Sequence, residues 1–131
     1  MVDPTAYLIT LASARVPATD GAPRDATGRT ETPTGPHAII HGGAPIPTRQ
    51  SLDRTHLQTQ HWWQVICVSN NPDGARRVVD ALTRAVDGQP HPDHPACYYR
   101  VSHASGPIED RDDPTEWRWS STVDVTLYIG R

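Results

Sequence analysis

Three stretches of this chain hold side chains that could do chemistry. HPDHPAC, residues 91–97, places His91, His94 and Cys97 close together, a donor set that zinc accepts. Zinc sites use four protein ligands, or three and a water, and no second cluster in the chain supplies the rest. The simpler reading is a proline-rich turn with solvated histidines. NNPDG, residues 70–74, follows an apolar run and precedes a helical pattern, the arrangement that can cradle a phosphate. It has one glycine where a dinucleotide fingerprint needs three, and the chain has no lysine for a P-loop. Asp73 already puts a negative charge where an anion would sit, so phosphate binding is not expected there. The third stretch carries Glu109, Asp110, Asp112, Asp113 and Glu116. Its spacing is not that of a calcium loop, and it reads as a solvated or contact surface rather than as paired catalytic carboxylates.

Two further patterns are weaker. Tyr98, Tyr99 and Arg100 could stack bases, yet the net charge is -3 and no basic block surrounds them, so sheet packing is the expected role. Serine, histidine and aspartate abound, but a catalytic triad is a matter of geometry, and no serine sits in a nucleophile-elbow context. No enzymatic activity and no cofactor are expected.

The elements that must position these residues read as follows. Asp3-Pro4 opens a short helix, with a carboxylate at the cap and proline in the first turn; Tyr7, Leu8, Leu11 and Ala12 share its face. Residues 1–16 form this helical segment, 17–36 a Pro-, Thr- and Gly-rich extended connection, and 37–131 an α/β core, all in one domain. HAIIHGG, from His37, is a short strand, and a polar loop over 44–55 leads to a strand from about His56 to Ser69. Trp63, Val65 and Cys67 point one way and Trp62, Ile66 and Val68 the other, the pattern of a strand covered on both faces. The spacing predicts a helix after the Asn71-Pro72-Asp73 cap, with Ala75, Val78, Val79, Leu82, Ala85 and Val86 on one side and Gly88 ending it. Asp80 and Arg84 are four apart on its polar side. QPHPDHPA, with three prolines, is expected to be irregular. A strand over 97–103 and an acidic loop over 104–116 follow. The last strand, 117–129, alternates Trp117, Trp119, Val123, Val125, Leu127 and Ile129 against polar partners, with Ser121 the exception. The expected fold is α+β: a mostly antiparallel four-stranded sheet with one central amphipathic helix packed on it and a short N-terminal helix.

Composition narrows the classes further. The apolar fraction is 36%, and 13 prolines and 9 glycines interrupt the chain, so the core is thin and partners would add stability. All 12 basic residues are arginine. Without a clustered positive surface, phosphate-backbone binding lacks its main source of affinity. The longest apolar stretch near the start, Ala6 to Ala14, is too short to span a membrane, and the residues before it are acidic rather than basic. A cytoplasmic product is expected. Two cysteines are too few for a disulfide framework, and Cys67 reads as a small buried hydrophobe.

The order of elements carries one resemblance. A short N-terminal helix, GPHAIIHGG, a strand ending in VICVSNN, the helix ARRVVDALTRAVDG, the strand YYRVSH and the terminal WRWSSTVDVTLYIGR resemble the tail terminator, or tail completion, proteins of long-tailed phages. The resemblance covers most of 37–131 and rests on element order and periodicity rather than on an invariant motif. It implies a virion protein assembled in the host cytoplasm. It also implies a homo-oligomeric ring, usually a hexamer, that caps the head-proximal end of the tail tube, ends tube growth and joins the tail to the head connector. Its neighbours would be the tail tube protein and the head-tail connector protein, with DNA at most passing through the lumen. The family offers no catalytic residues to carry over. Another neck protein (head closure or adaptor) and a small enzyme or ligand-binding domain stay as alternatives. For the ring contacts, the residues suggest Arg49 and Arg54 in one loop against Asp110, Asp112 and Asp113 in another. Such head-to-tail contacts use two different patches of one chain.

Overall fold

The computed structural model describes residues 2–24, 27, 28, 35–50, 57–110 and 118–130, with the backbone alone for 46–50, 57, 58, 103, 110 and 130. Both helices begin as their sequences predict. In α1, Pro4–Ser13, the Asp3 carboxylate accepts from the Ala6 N–H. In α2, Pro72–Val86, the Asn71 side chain accepts from the Gly74 N–H at 2.6 Å. Each cap satisfies a donor that the first helical turn leaves orphaned. The other end of α2 closes at Gly88, whose φ of +78° suits glycine and whose N–H reaches the Tyr99 carbonyl.

The strands are β1 Ala18–Asp20, β2 His37–Gly42, β3 Ile46–Gln50, β4 Leu57–Ser69, β5 Pro90–His91, β6 His94–Tyr98, β7 Arg100–Asp110 and β8 Arg118–Gly130. Six of them form one sheet in the order β1-β2-β4-β8-β7, with β3 pairing the N-terminal end of β4 beside β2. All pairs are antiparallel except β1 with β2. The chain is thus α+β with a mostly antiparallel sheet, but the expected count of four strands and one packed helix is too low. The short β1 sits inside the segment read as a connection, and β3 inside a loop read as polar. Each is an edge strand of five residues or fewer, too short for alternation to register, and Pro47 is tolerated because edge positions can lack a donor. The segment QPHPDHPA, expected to be irregular, supplies the small β5-β6 ladder. The strand over 97–103 runs on to Asp110 through two register shifts against β8, in residues assigned to the acidic loop. Residues 111–117 lie outside the described part.

Both helices cover the same face of the sheet. Leu8 and Ala12 of α1 and Val78, Leu82, Ala85 and Val86 of α2 join Ala38, Ile40, Trp63, Val65, Cys67, Val123, Val125, Leu127 and Ile129 in one core. Trp63 is fully buried and its indole N–H donates to Thr5 Oγ1 at 3.1 Å. Tyr99, also fully buried, packs its ring 5.7 Å from that of Trp63 and donates its hydroxyl to the Pro4 carbonyl at 2.8 Å. These two aromatics, one in β4 and one between β6 and β7, seat the start of α1 on the sheet. The close approach also explains Gly43: a Cβ there would collide with Trp63 Nε1 and Thr5 Oγ1, and its φ of +95° already favours glycine.

The expectation that β4 is covered on both faces holds only in part. Val68 and its neighbour Ile39 are buried, Ile66 is half-buried, and Trp62 and Gln64 are exposed. The N-terminal helix lies beside α2 on the first face and covers none of the second.

Candidate functional site

The histidine cluster is engaged in holding the N-terminal segment. His91 is fully buried. The Asp93 N–H donates to its Nδ1 at 3.2 Å, which makes Nε2 the protonated nitrogen, and Nε2 donates to the Val2 carbonyl at 3.1 Å. Both ring nitrogens are therefore occupied, and neither offers a lone pair to a metal. The Asp93 carboxylate accepts from the Val2 N–H at 2.6 Å, and this bond holds its pKa below the usual carboxylate range. Among the described residues no group of three or more His, Cys, Asp or Glu side chains could hold a metal ion. Of the residues suggested by HPDHPAC, His91 instead joins Asp93 in a clasp on Val2, its ring tilted against Tyr7, which stacks on Tyr99.

The two cysteines differ in environment. Cys67 is fully buried on the core face of β4, and burial pushes its thiol up to about 12; Cys97 is half-buried. The thiolate is the reactive form. Under native conditions at pH 8 a thiol reagent is expected to label Cys97 and leave Cys67 until the chain is denatured. Equal labelling of both in the folded protein would contradict the buried position of β4.

On the sheet face away from the helices, the part around Trp62 is exposed among the described residues. Antiparallel register places Trp62 opposite Thr126 and Thr126 opposite Arg100, so the three form one row across β4, β8 and β7. Tyr128, opposite Gln60, is the diagonal neighbour of Trp62. Trp62 is 44% exposed and Tyr128 48%. Arg100 lies over the Tyr98 ring with its guanidinium carbon 5.0 Å from the centroid, which orders both side chains. The trio read from sequence as sheet packing divides: Tyr99 packs in the core, while Tyr98 and Arg100 face solvent. The alternation of β8 also reads out correctly, with Ser121 buried on the core side and Tyr128 outside.

The charged residues suggested for assembly are only partly described. Arg49 lies in β3 opposite Gln58, and Asp110 ends β7 opposite Arg118; Arg54, Asp112 and Asp113 lie outside the described residues. Gln58 and Ser69 bound the paired length of β4, with Ser69 opposite Trp119, next to Arg118. At about 3.3 Å per residue that length is roughly 36 Å. Arg49 and Asp110 therefore sit toward opposite ends of the sheet.

A cavity of about 360 Å³ opens where the end of α1 meets the start of α2, lined by Arg15, Val16, Ser69, Asn70, Arg77 and their neighbours. It contains the strand end and turn read from sequence as a discounted phosphate cradle. Arg15 had no role in that reading, because nothing in the sequence shows that the end of α1 returns to this turn. Arg77 pairs with Asp73 at 3.1 Å, and Arg84 with Asp80 at 3.0 Å, the latter as its spacing predicts; all four side chains are largely exposed, so each pair adds little stability.

What the fold and these surfaces define is a small α+β protein with two helices on one sheet face and an exposed Trp62–Thr126–Arg100 row on the other. A scan against protein-family models and a search of curated proteins find no match for the chain.

Proposed function

We propose that this chain is a structural virion protein of the tail-terminator kind. It forms a homo-oligomeric ring, a hexamer by the resemblance, at the head-proximal end of a phage tail tube, where it ends tube polymerisation and meets the head connector. The observation that carries this reading is the open sheet face. A row of Trp62, Thr126 and Arg100 flanked by Tyr128 gathers the residue types that dominate protein contact energies on a face that neither helix of the same chain covers. The backbone positions of Arg49 and Asp110, toward opposite ends of a sheet about 36 Å long, support head-to-tail assembly, in which two different patches of one chain meet between copies. The order helix, strand, strand, helix, strand, strand, on which the resemblance rests, is kept by the longer elements of the fold.

Electron microscopy of virions carrying a labelled copy tests the location: label at the neck is expected, and label elsewhere or none sinks the reading. Assembly tests the contacts. Reversing Arg49 and Arg54 to glutamate is expected to weaken ring formation about tenfold or more, as like charges then face each other across the contact. Reversing Asp110, Asp112 and Asp113 to arginine in the same chain should restore part of it. Unaltered rings in both singly reversed variants, seen by sedimentation, would rule out this charge pairing.

A further inference from the structure

We propose that the exposed part of the sheet face around Trp62 docks on the same part of a second copy, as a two-fold dimer whose axis runs along the Trp62–Thr126–Arg100 row. The inference does not rest on the ring reading above. It follows from the register and charges of the face itself.

Strand pairing lays three rows side by side across β4, β8 and β7. Trp62, Thr126 and Arg100 form the middle row, flanked on one side by Gln64, Asp124 and Ser102 and on the other by Gln60 and Tyr128. Tyr98, 42% exposed, lies on the Tyr128 side, two residues before Arg100. The rows are two residues apart, about 6.6 Å along the strands.

The two flanking rows carry opposite chemistry. On the Tyr128 side are a phenol hydroxyl and the Arg100 guanidinium, which leans over the Tyr98 ring and donates to its hydroxyl. On the other side is the Asp124 carboxylate, half-buried and with no ion pair among the described residues. Arg100 and Asp124 stand on neighbouring strands one row apart, yet the arginine is turned toward Tyr98 and away from the acid. The chain thus presents a donor side and an acceptor side that do not satisfy each other.

A two-fold contact must be self-complementary. A half-turn about the middle row exchanges the flanking rows, so each copy's Arg100 and Tyr128 come against the other's Asp124, and Gln60 against Gln64. Trp62 and Thr126 meet their own counterparts on the axis. The same operation keeps the strands of the two sheets aligned, the geometry in which sheets stack about 10 Å apart. An axis along β8 would instead set Asp124 on Asp124, and like charges in contact are costly. Charge therefore selects one of the two aligned arrangements. Aromatic rings and arginine at the centre are the residue types that carry contact energy.

The contact is small. Three rows over three strands span roughly 13 Å by 10 Å between backbone positions, and toward Val68 and Ile39 the face is already buried. That is less than the ~800 Å² per partner of a standard interface, so the dimer forms at high protein concentration and gives way to a larger partner surface.

The experiment is sedimentation equilibrium of the full chain over a wide concentration range. A monomer–dimer equilibrium is expected. Arg100→Asp and Asp124→Arg each place like charges together twice, by symmetry, and should each weaken the dimer about tenfold or more. An equimolar mixture of the two variants should recover it, because both contacts then pair opposite charges. Trp62→Gln, which removes the apolar centre without changing charge, should weaken it several-fold. Urea midpoints close to the parent's are expected for all three, since these side chains lie outside the core. No dimer at the highest concentration, an equilibrium unchanged in both charge variants, or a mixture that stays monomeric overturns the proposal. A missing dimer leaves the neck-labelling test standing, and label absent from the neck leaves the dimer standing.

Discussion

Trp63→Ala is expected to destabilise the chain by about 3 to 5 kcal/mol, the range for removing a large aromatic from a packed core. Three contacts converge on this side chain. Its ring lies 5.7 Å from Tyr99 and 5.9 Å from His61, and its N–H donates to Thr5 Oγ1. The cavity would open under the start of α1, where the backbone is held chiefly by Trp63 and Tyr99, so the hole cannot close without moving the helix. Small domains are stable by about 5 to 15 kcal/mol in total, and this one has a thin core, so the variant should unfold at a markedly lower urea concentration. Trp63→Phe separates the two contributions. It keeps most of the ring volume and loses the bond to Thr5, a loss of about 1 kcal/mol. A Trp63→Ala midpoint within experimental error of the parent would mean that α1 does not sit on this residue.

The second large effect is expected at Leu82. Leu82→Ala should cost roughly 2 to 5 kcal/mol. Leu82 is fully buried in the middle of α2 and belongs to the core shared with β4 and β8. Alanine is the better helix former, so any loss reports packing and not helix propensity. Val79, one turn earlier and only half-buried, provides the comparison: Val79→Ala should cost clearly less. Equilibrium urea unfolding of the two variants checks the order. A change below ~0.5 kcal/mol at Leu82, well under the range for a buried leucine, would mean that α2 is not seated on the sheet.

Much of α2 was legible beforehand because a 3.6-residue period over fifteen residues is a strong signal. The cap at Asn71, the buried positions from Ala75 to Val86 and the Asp80–Arg84 pair all follow from spacing alone. The long strands β4 and β8 were legible too, β8 from a two-residue period and β4 from a long run apolar on both sides, each over thirteen residues. By contrast, β1 exists because Ala18, Thr19 and Asp20 find β2 across an intervening segment, and three residues carry too little alternation to announce that. β7 continues past Ser102 through irregular register, so its residues lose the alternation that would have marked them.

The candidate sites divide along the same line. The outward positions of Trp62 and Tyr128 follow from strand parity, but that they share a row with Arg100 depends on register, and register is set by pairing. The metal reading of His91 rested on residue type. The fold turns the same ring nitrogens toward Val2 and Asp93.

By itself, then, the sequence determined where the helices start, which side of each long element is apolar, and that the NNPDG turn caps a helix with its own acid nearby. Those are local properties, decided by side chains within a few residues of one another. Only the tertiary structure decided that both helices share one face, that Trp62, Thr126 and Arg100 form a row on the other, and that Arg15 comes round beside Ser69 and Arg77. These depend on contacts between residues far apart in the chain, where the burial of Trp63, Tyr99 and Leu8 selects one arrangement among many that local pattern allows equally.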